Sequence, residues 1–210
     1  MAEELGKIEK PPVDSFKQGR KLFFLPAVYF TEGVPEGYAE KYQKFWEQAG
    51  KQLDELTSKL GPVKKLYLEM IDVSGEEGAA LVHDLNENSY NLIKSLMGKS
   101  AELEALEESD LLTEYMDWNR CLMIGLQNAG VINKVYEAYL ETGKKRNEQL
   151  SKKIDETLRE NEIGLLIMRE NHQVQFPSDI QVFYISPPAL DEIKRFIREQ
   201  EKQSGEKTSS

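Results

Sequence analysis

A single cysteine, Cys121, in 210 residues excludes an intramolecular disulfide framework, and with it the small secreted folds that depend on one. Its neighbours Trp118, Leu122 and Met123 mark it for packing, since a nucleophilic thiol needs an electropositive, accessible setting. No apolar run approaches the ~20 residues of a membrane-spanning helix. The first residues, Met1 to Lys7, lack the basic-then-apolar pattern of a secretory leader, so the expected location is cytoplasmic. Glycine-rich phosphate loops, Cys/His zinc spacing and a Gly-x-Ser-x-Gly elbow are missing. Positive charge is also in short supply. Against 37 Asp and Glu stand 27 Lys and Arg, a net charge of −10, which argues against nucleic acid and anionic membranes as partners. The one dense basic cluster, Lys144, Lys145, Arg146, Lys152 and Lys153, is interleaved with Glu148, Asp155 and Glu156 and reads as a solvated helix face.

What is present is a regular alternation of apolar runs and amphipathic stretches. A first strand is predicted over Leu22–Phe30, with Pro26 implying a bulge or an edge position. Tyr42, Phe45, Trp46, Ala49, Leu53, Leu56 and Leu60 recur at helical spacing and stop at Gly61-Pro62. A second strand is expected over Leu66–Ile71, and one or two helices from Gly75 to about Met97 with Gly98 as the stop. Ala101–Leu106 fits strand or helix. Ser109 is the expected N-cap of a helix reaching Gln127, apolar over most of its surface and hence deeply buried or at an interface. A long helix follows over Val131–Glu160, then strands at Ile163–Met168 and Ile180–Ile185, then a helix opened by Pro187-Pro188.

This alternation predicts one helix-rich, layered α/β domain over 21–200, with a mixed, mostly parallel sheet of about four or five strands. The short link between the last two strands predicts that the C-terminal one is antiparallel. Residues 1–20 and 201–210 read as flexible tails.

Open α/β sheets bind ligands beyond the carboxyl ends of their strands. Those ends carry Thr31-Glu32, Asp72, Glu107-Glu108 and Glu170-Asn171-His172. Carboxylates with an imidazole suit a divalent cation or acid–base work; equally, strand ends are surface and surfaces here are acidic. Glu69 interrupts an apolar strand, and a buried carboxylate must be paired or protonated. Arg146 and Asn147 flank the centre of the long helix's apolar stripe, with Gly143 between them allowing close approach. Arg146 is placed to clamp Glu69 or an anionic ligand. Of two histidines, His83 falls on a surface helix, while His172 stands at a strand end and serves either a site or a turn.

In chain order, the strand Glu69, the helical Arg146-Asn147 and the strand-end His172 resemble the TraB and erythromycin-esterase-like superfamily. The resemblance implies an α/β fold and a metal-assisted hydrolytic site, with Glu69, Arg146 and His172 as catalytic residues and a divalent metal as cofactor. Two positions depart from the pattern: no histidine lies in Leu22–Val34, and Arg169 stands where the motif glycine would be. The residues themselves leave two functions open. One is a ligand-binding or protein-interaction module, with Asn147, Asp72 and Glu170 as ligand-binding residues and a small ligand, a protein partner or a second copy as partner. The other is a hydrolase-like enzyme. The distances within the trio discriminate between them.

Overall fold

In the computed structural model, residues 18–30 and 35–208 are described. Five strands, β1 (Arg20–Pro26), β2 (Lys65–Leu68), β3 (Glu102–Leu103), β4 (Ile163–Met168) and β5 (Ile180–Tyr184), form one sheet in the order β3-β2-β4-β1-β5. Six helices accompany it: α1 (Tyr38–Leu60), α2 (Gly75–Leu85), α3 (Glu87–Met97), α4 (Ser109–Met123), α5 (Ala129–Thr157) and α6 (Pro188–Thr208).

The inner strands β1, β2 and β4 are buried on both faces because both faces of the sheet are covered there. Phe23, Leu25, Leu66, Leu68, Leu165 and Ile167 join one core with α1, α2, α3 and α6. Leu22, Phe24, Tyr67, Leu166 and Met168 join a second with Leu150 and Ile154 of α5 and Leu158 just after it. Gly164 makes room on that second face: a Cβ there would meet the Tyr67 ring at 2.9 Å and Leu22 at 3.0 Å.

Every strand pair is parallel, which corrects the expected antiparallel C-terminal strand. β4 and β5 are not neighbours; they flank β1 on opposite sides. The link 169–179 contains no helix, but at ~3.3 Å per residue it is long enough to return along the sheet in extended form. Val174 and Phe176 fasten it to the α5-side core. Arg20 holds its far end, bonding Asp179 through Nε at 2.7 Å and Asp155 through Nη2 at 2.7 Å.

Pro26 is likewise not on an edge strand. It is the last residue of a central strand, beyond the last residue paired with β5, where a missing N–H breaks no ladder. The stretch Gly75–Met97 is two helices, divided at Asn86, whose side chain caps α3 through Ser89 N–H. Glu108, not Ser109, caps α4, accepting from Leu111 N–H at 2.9 Å. α6 continues to Thr208, across most of the segment read as a tail. The N-terminal tail up to residue 17, and Thr31-Glu32, lie outside the described residues. Among the described residues no helix is long and apolar enough to cross a membrane.

Trp46 packs edge-on against Phe45 and Tyr42 in the larger core. Trp46→Ala should cost ~3–5 kcal/mol, the range for large aromatic truncations. Urea denaturation checks this; a loss below ~1 kcal/mol would mean the α1 face carries no core load.

Candidate functional site

β2 ends abruptly. Glu69 N–H still bonds Ile167 O at 3.0 Å, but Met70 turns into the left-handed region at φ 73. The turn directs the Met70 N–H to Glu107 Oε1 at 3.0 Å. Two carboxylates from successive strand ends are thereby brought together, with side chains only 3 % and 1 % exposed. Arg146 reaches them from α5, giving Glu107 a two-pronged contact through Nε (2.9 Å) and Nη2 and bonding Glu69 Oε1 from Nη2 at 3.3 Å. Arg169, the first residue after β4, completes the set. Its backbone N–H donates to Glu69 Oε2 at 3.0 Å and its Nη2 to Oε1 at 2.8 Å.

Two carboxylates and two guanidiniums make a neutral block. Burial alone would raise the Glu69 pKa, but the Arg169 hydrogen bonds and both guanidinium charges outweigh it and hold it below the usual carboxylate range. The Arg169 pKa is raised, first by its hydrogen bonds to Glu69. Beside the block, burial pushes the Tyr29 hydroxyl up to about 12, with Glu69 adding to the effect.

An open cleft of about 1150 Å³ lies over Glu69, Arg146 and Arg169, walled by Tyr115, Tyr139, Asn147 and His172. The Arg146 guanidinium sits 4.9 Å from the Tyr115 ring centroid. Tyr115 stacks on Tyr139, with hydroxyls 2.8 Å apart. Gly143 permits this: a Cβ there would stand 3.3 Å from the Tyr115 ring, so the close approach is by a ring. His172 is held between Phe24 and Phe176 at centroid distances of 5.0 and 5.5 Å. Val174 N–H donates to its Nδ1 at 3.2 Å, so the neutral ring carries its proton on Nε2. Burial lowers its pKa, opposed in part by Glu69.

Glu69, Arg146, Asn147 and His172 therefore share one cleft. Asp72 does not line it, and Glu170 pairs with Lys194 of α6 at 2.5 Å, on the other side of the sheet. Among the described residues no three His, Cys, Asp or Glu side chains form a set able to hold a metal, and both Glu69 oxygens are engaged by arginine. Glu107 was visible in the sequence only as a strand-end acid, and Arg169 only as a break in a motif. Tyr139 belongs by its spacing to the apolar stripe of the long helix, seven residues before Arg146, and nothing in that spacing marks it as a cleft residue. No protein family, no curated protein and no solved structure gives a match to this chain.

Removing Arg146 leaves the buried Glu107 without a cation, so Arg146→Met should cost ~3–5 kcal/mol. Adding Glu107→Gln should recover part of that loss. Urea titration of the two single variants and the double variant tests the coupling; additivity within ~0.5 kcal/mol would show the pair to be independent.

His172 makes stability depend on pH. Its folded pKa lies below its unfolded one, so its contribution is complete above the ordinary imidazole value of ~6.5 and is lost as pH falls through that value toward the folded pKa. His172→Phe should remove that part of the decline. Melting temperatures measured from neutral to mildly acidic pH check it, and parallel curves for the two proteins would contradict it.

Proposed function

We propose that the chain is a ligand-binding module whose cleft takes a small polar molecule presenting carboxylate or phosphate oxygens. One observation carries this reading. The buried carboxylates are already saturated by arginine and backbone donors, while the capacity left in the cleft is mainly donor capacity. Arg169 is half-exposed and directs Nε and Nη2 to Glu69, which leaves Nη1 without a partner among the described residues. His172 offers Nε2–H. Asn147 and Asn171 also line the cleft. A charged, acceptor-rich group matches a guanidinium edge and an imidazole N–H. A catalytic assignment finds less support: the Ser151 hydroxyl is committed to Gln175 O at 2.5 Å, and Glu69 is bound on both oxygens. The lone cysteine and acidic composition fit a cytoplasmic setting.

Calorimetric titration with inorganic phosphate and with short dicarboxylates tests the proposal. Binding should weaken at least about tenfold in Arg169→Ala, the loss of one charge-assisted contact. No binding of either anion, or equal binding by the variant, would overturn it.

A second reading draws on the convergence of Glu69, Arg146 and His172 in one cleft. It takes the chain as a hydrolase-like relative of the TraB and erythromycin-esterase group, with a divalent metal as cofactor. In it Arg169, in the motif glycine's place, occupies the carboxylate that would do the chemistry. Arg169→Gly should then gain divalent-cation affinity and esterase activity; a variant with neither would remove this reading.

A further inference from the structure

Two hydroxyls in the cleft wall carry one hydrogen more than they exchange with each other. Tyr139 and Arg146 stand two turns apart on α5, about 10.5 Å along its axis. The Tyr115 ring enters between them over Gly143, 5.0 Å from the Tyr139 ring and 4.9 Å from the Arg146 guanidinium. Packing on both faces fixes where the Tyr115 hydroxyl stands, 2.8 Å from that of Tyr139. Two hydroxyls bring two hydrogens, and one of them lies in the bond between the oxygens. Among the described residues no other group accepts the second. The Tyr139 pKa is raised, first by its hydrogen bond to Tyr115, so the pair keeps both hydrogens at neutral pH. The bond within the pair also polarises the free hydroxyl and makes it a better donor.

Both rings line the same cleft as Arg169 and His172, and the Arg169 charge acts on the Tyr139 hydroxyl. The cleft therefore presents donors from three walls: a tyrosyl O–H from the α4–α5 hairpin, Arg169 Nη1 from the end of β4, and His172 Nε2–H from the link that follows. A carboxylate has two oxygens in one plane and is served by a single guanidinium edge. A phosphate monoester has three terminal oxygens set as a pyramid, each a strong acceptor. At about 1150 Å³ the cleft is also several times larger than a phosphate group, which leaves room for the organic part of an ester. We infer that the cleft's ligand is a phosphate monoester, and that the Tyr115–Tyr139 pair selects it over a carboxylate by donating to the third terminal oxygen. This rests on the anion-binding reading of the cleft.

Calorimetric titration of the full chain with methyl phosphate and with malonate tests it, at mildly alkaline pH where both are dianions. The wild type should prefer methyl phosphate at least about tenfold, the worth of one hydrogen bond to a charged group. The double change Tyr115→Phe with Tyr139→Phe keeps both rings and should abolish that preference by weakening methyl phosphate binding alone. A second measurement needs no variant to bind. In wild-type protein labelled with ¹³C at tyrosine Cζ, methyl phosphate should shift the Tyr115 or Tyr139 resonance and malonate should leave both in place. Equal affinity for the two anions, a preference that survives the double change, or tyrosine resonances indifferent to methyl phosphate would overturn the inference and leave the anion-binding reading standing. Failure of the wild type to bind either anion would overturn both.

Discussion

The block formed by Glu69, Glu107, Arg146 and Arg169 is the constraint on which the rest of the site depends. Each member comes from a different part of the chain: the end of β2, the segment after β3, the middle of α5 and the end of β4. Withdrawing Glu69, Glu107 and Arg146 from water, with Arg169 half-exposed beside them, costs several kcal/mol per buried ion, so the block adds little to stability as a whole. Its effect is on geometry. Any slip of α5 along the sheet, or of β4 against β2, leaves a buried charge without its partner. The left-handed Met70 belongs to the same arrangement, because its N–H satisfies the Glu107 oxygen that Arg146 also contacts.

Much of the fold was legible because it is written in periodicity. β4 falls where an unbroken apolar run predicts it, and α1 ends at the glycine and proline expected to stop it. The sense of β5 was not legible. A short link ordinarily means a hairpin, and only tertiary contact by Val174 and Phe176 shows that this one lies along a sheet face. Pro26 misled for a similar reason: whether a proline is tolerated depends on where the neighbouring strand stops, and that is decided more than 150 residues later in the chain.

The site was half legible. Glu69 and Arg146 stand out because a charge in an apolar pattern needs a partner; the two do touch, at 3.3 Å, but Arg146 is held chiefly by Glu107 and Glu69 chiefly by Arg169. Glu107 and Arg169 lie in polar stretches where further charge attracts no notice. His172 was visible by its position, but its role was not: the flanking aromatic rings come from β1 and the return link, and the backbone N–H that sets its tautomer belongs to Val174, further along that link. Glu170 has the same strand-end position and faces α6, a difference that spacing does not encode.

The place of β1 in the sheet has a consequence for how the chain is made. Both of its neighbours, β4 and β5, lie near the other end of the sequence, with Lys21 aligned to Ile163 and to Gln181. A ribosome adding ~5–20 residues per second takes roughly ten to thirty seconds to travel from one to the other. Throughout that interval Leu22, Phe23, Phe24 and Leu25, fully buried at the end, have neither ladder partner. An interior strand of the sheet is thus made well before either of its ladder partners, and its apolar residues wait for β4 and β5 to be enclosed.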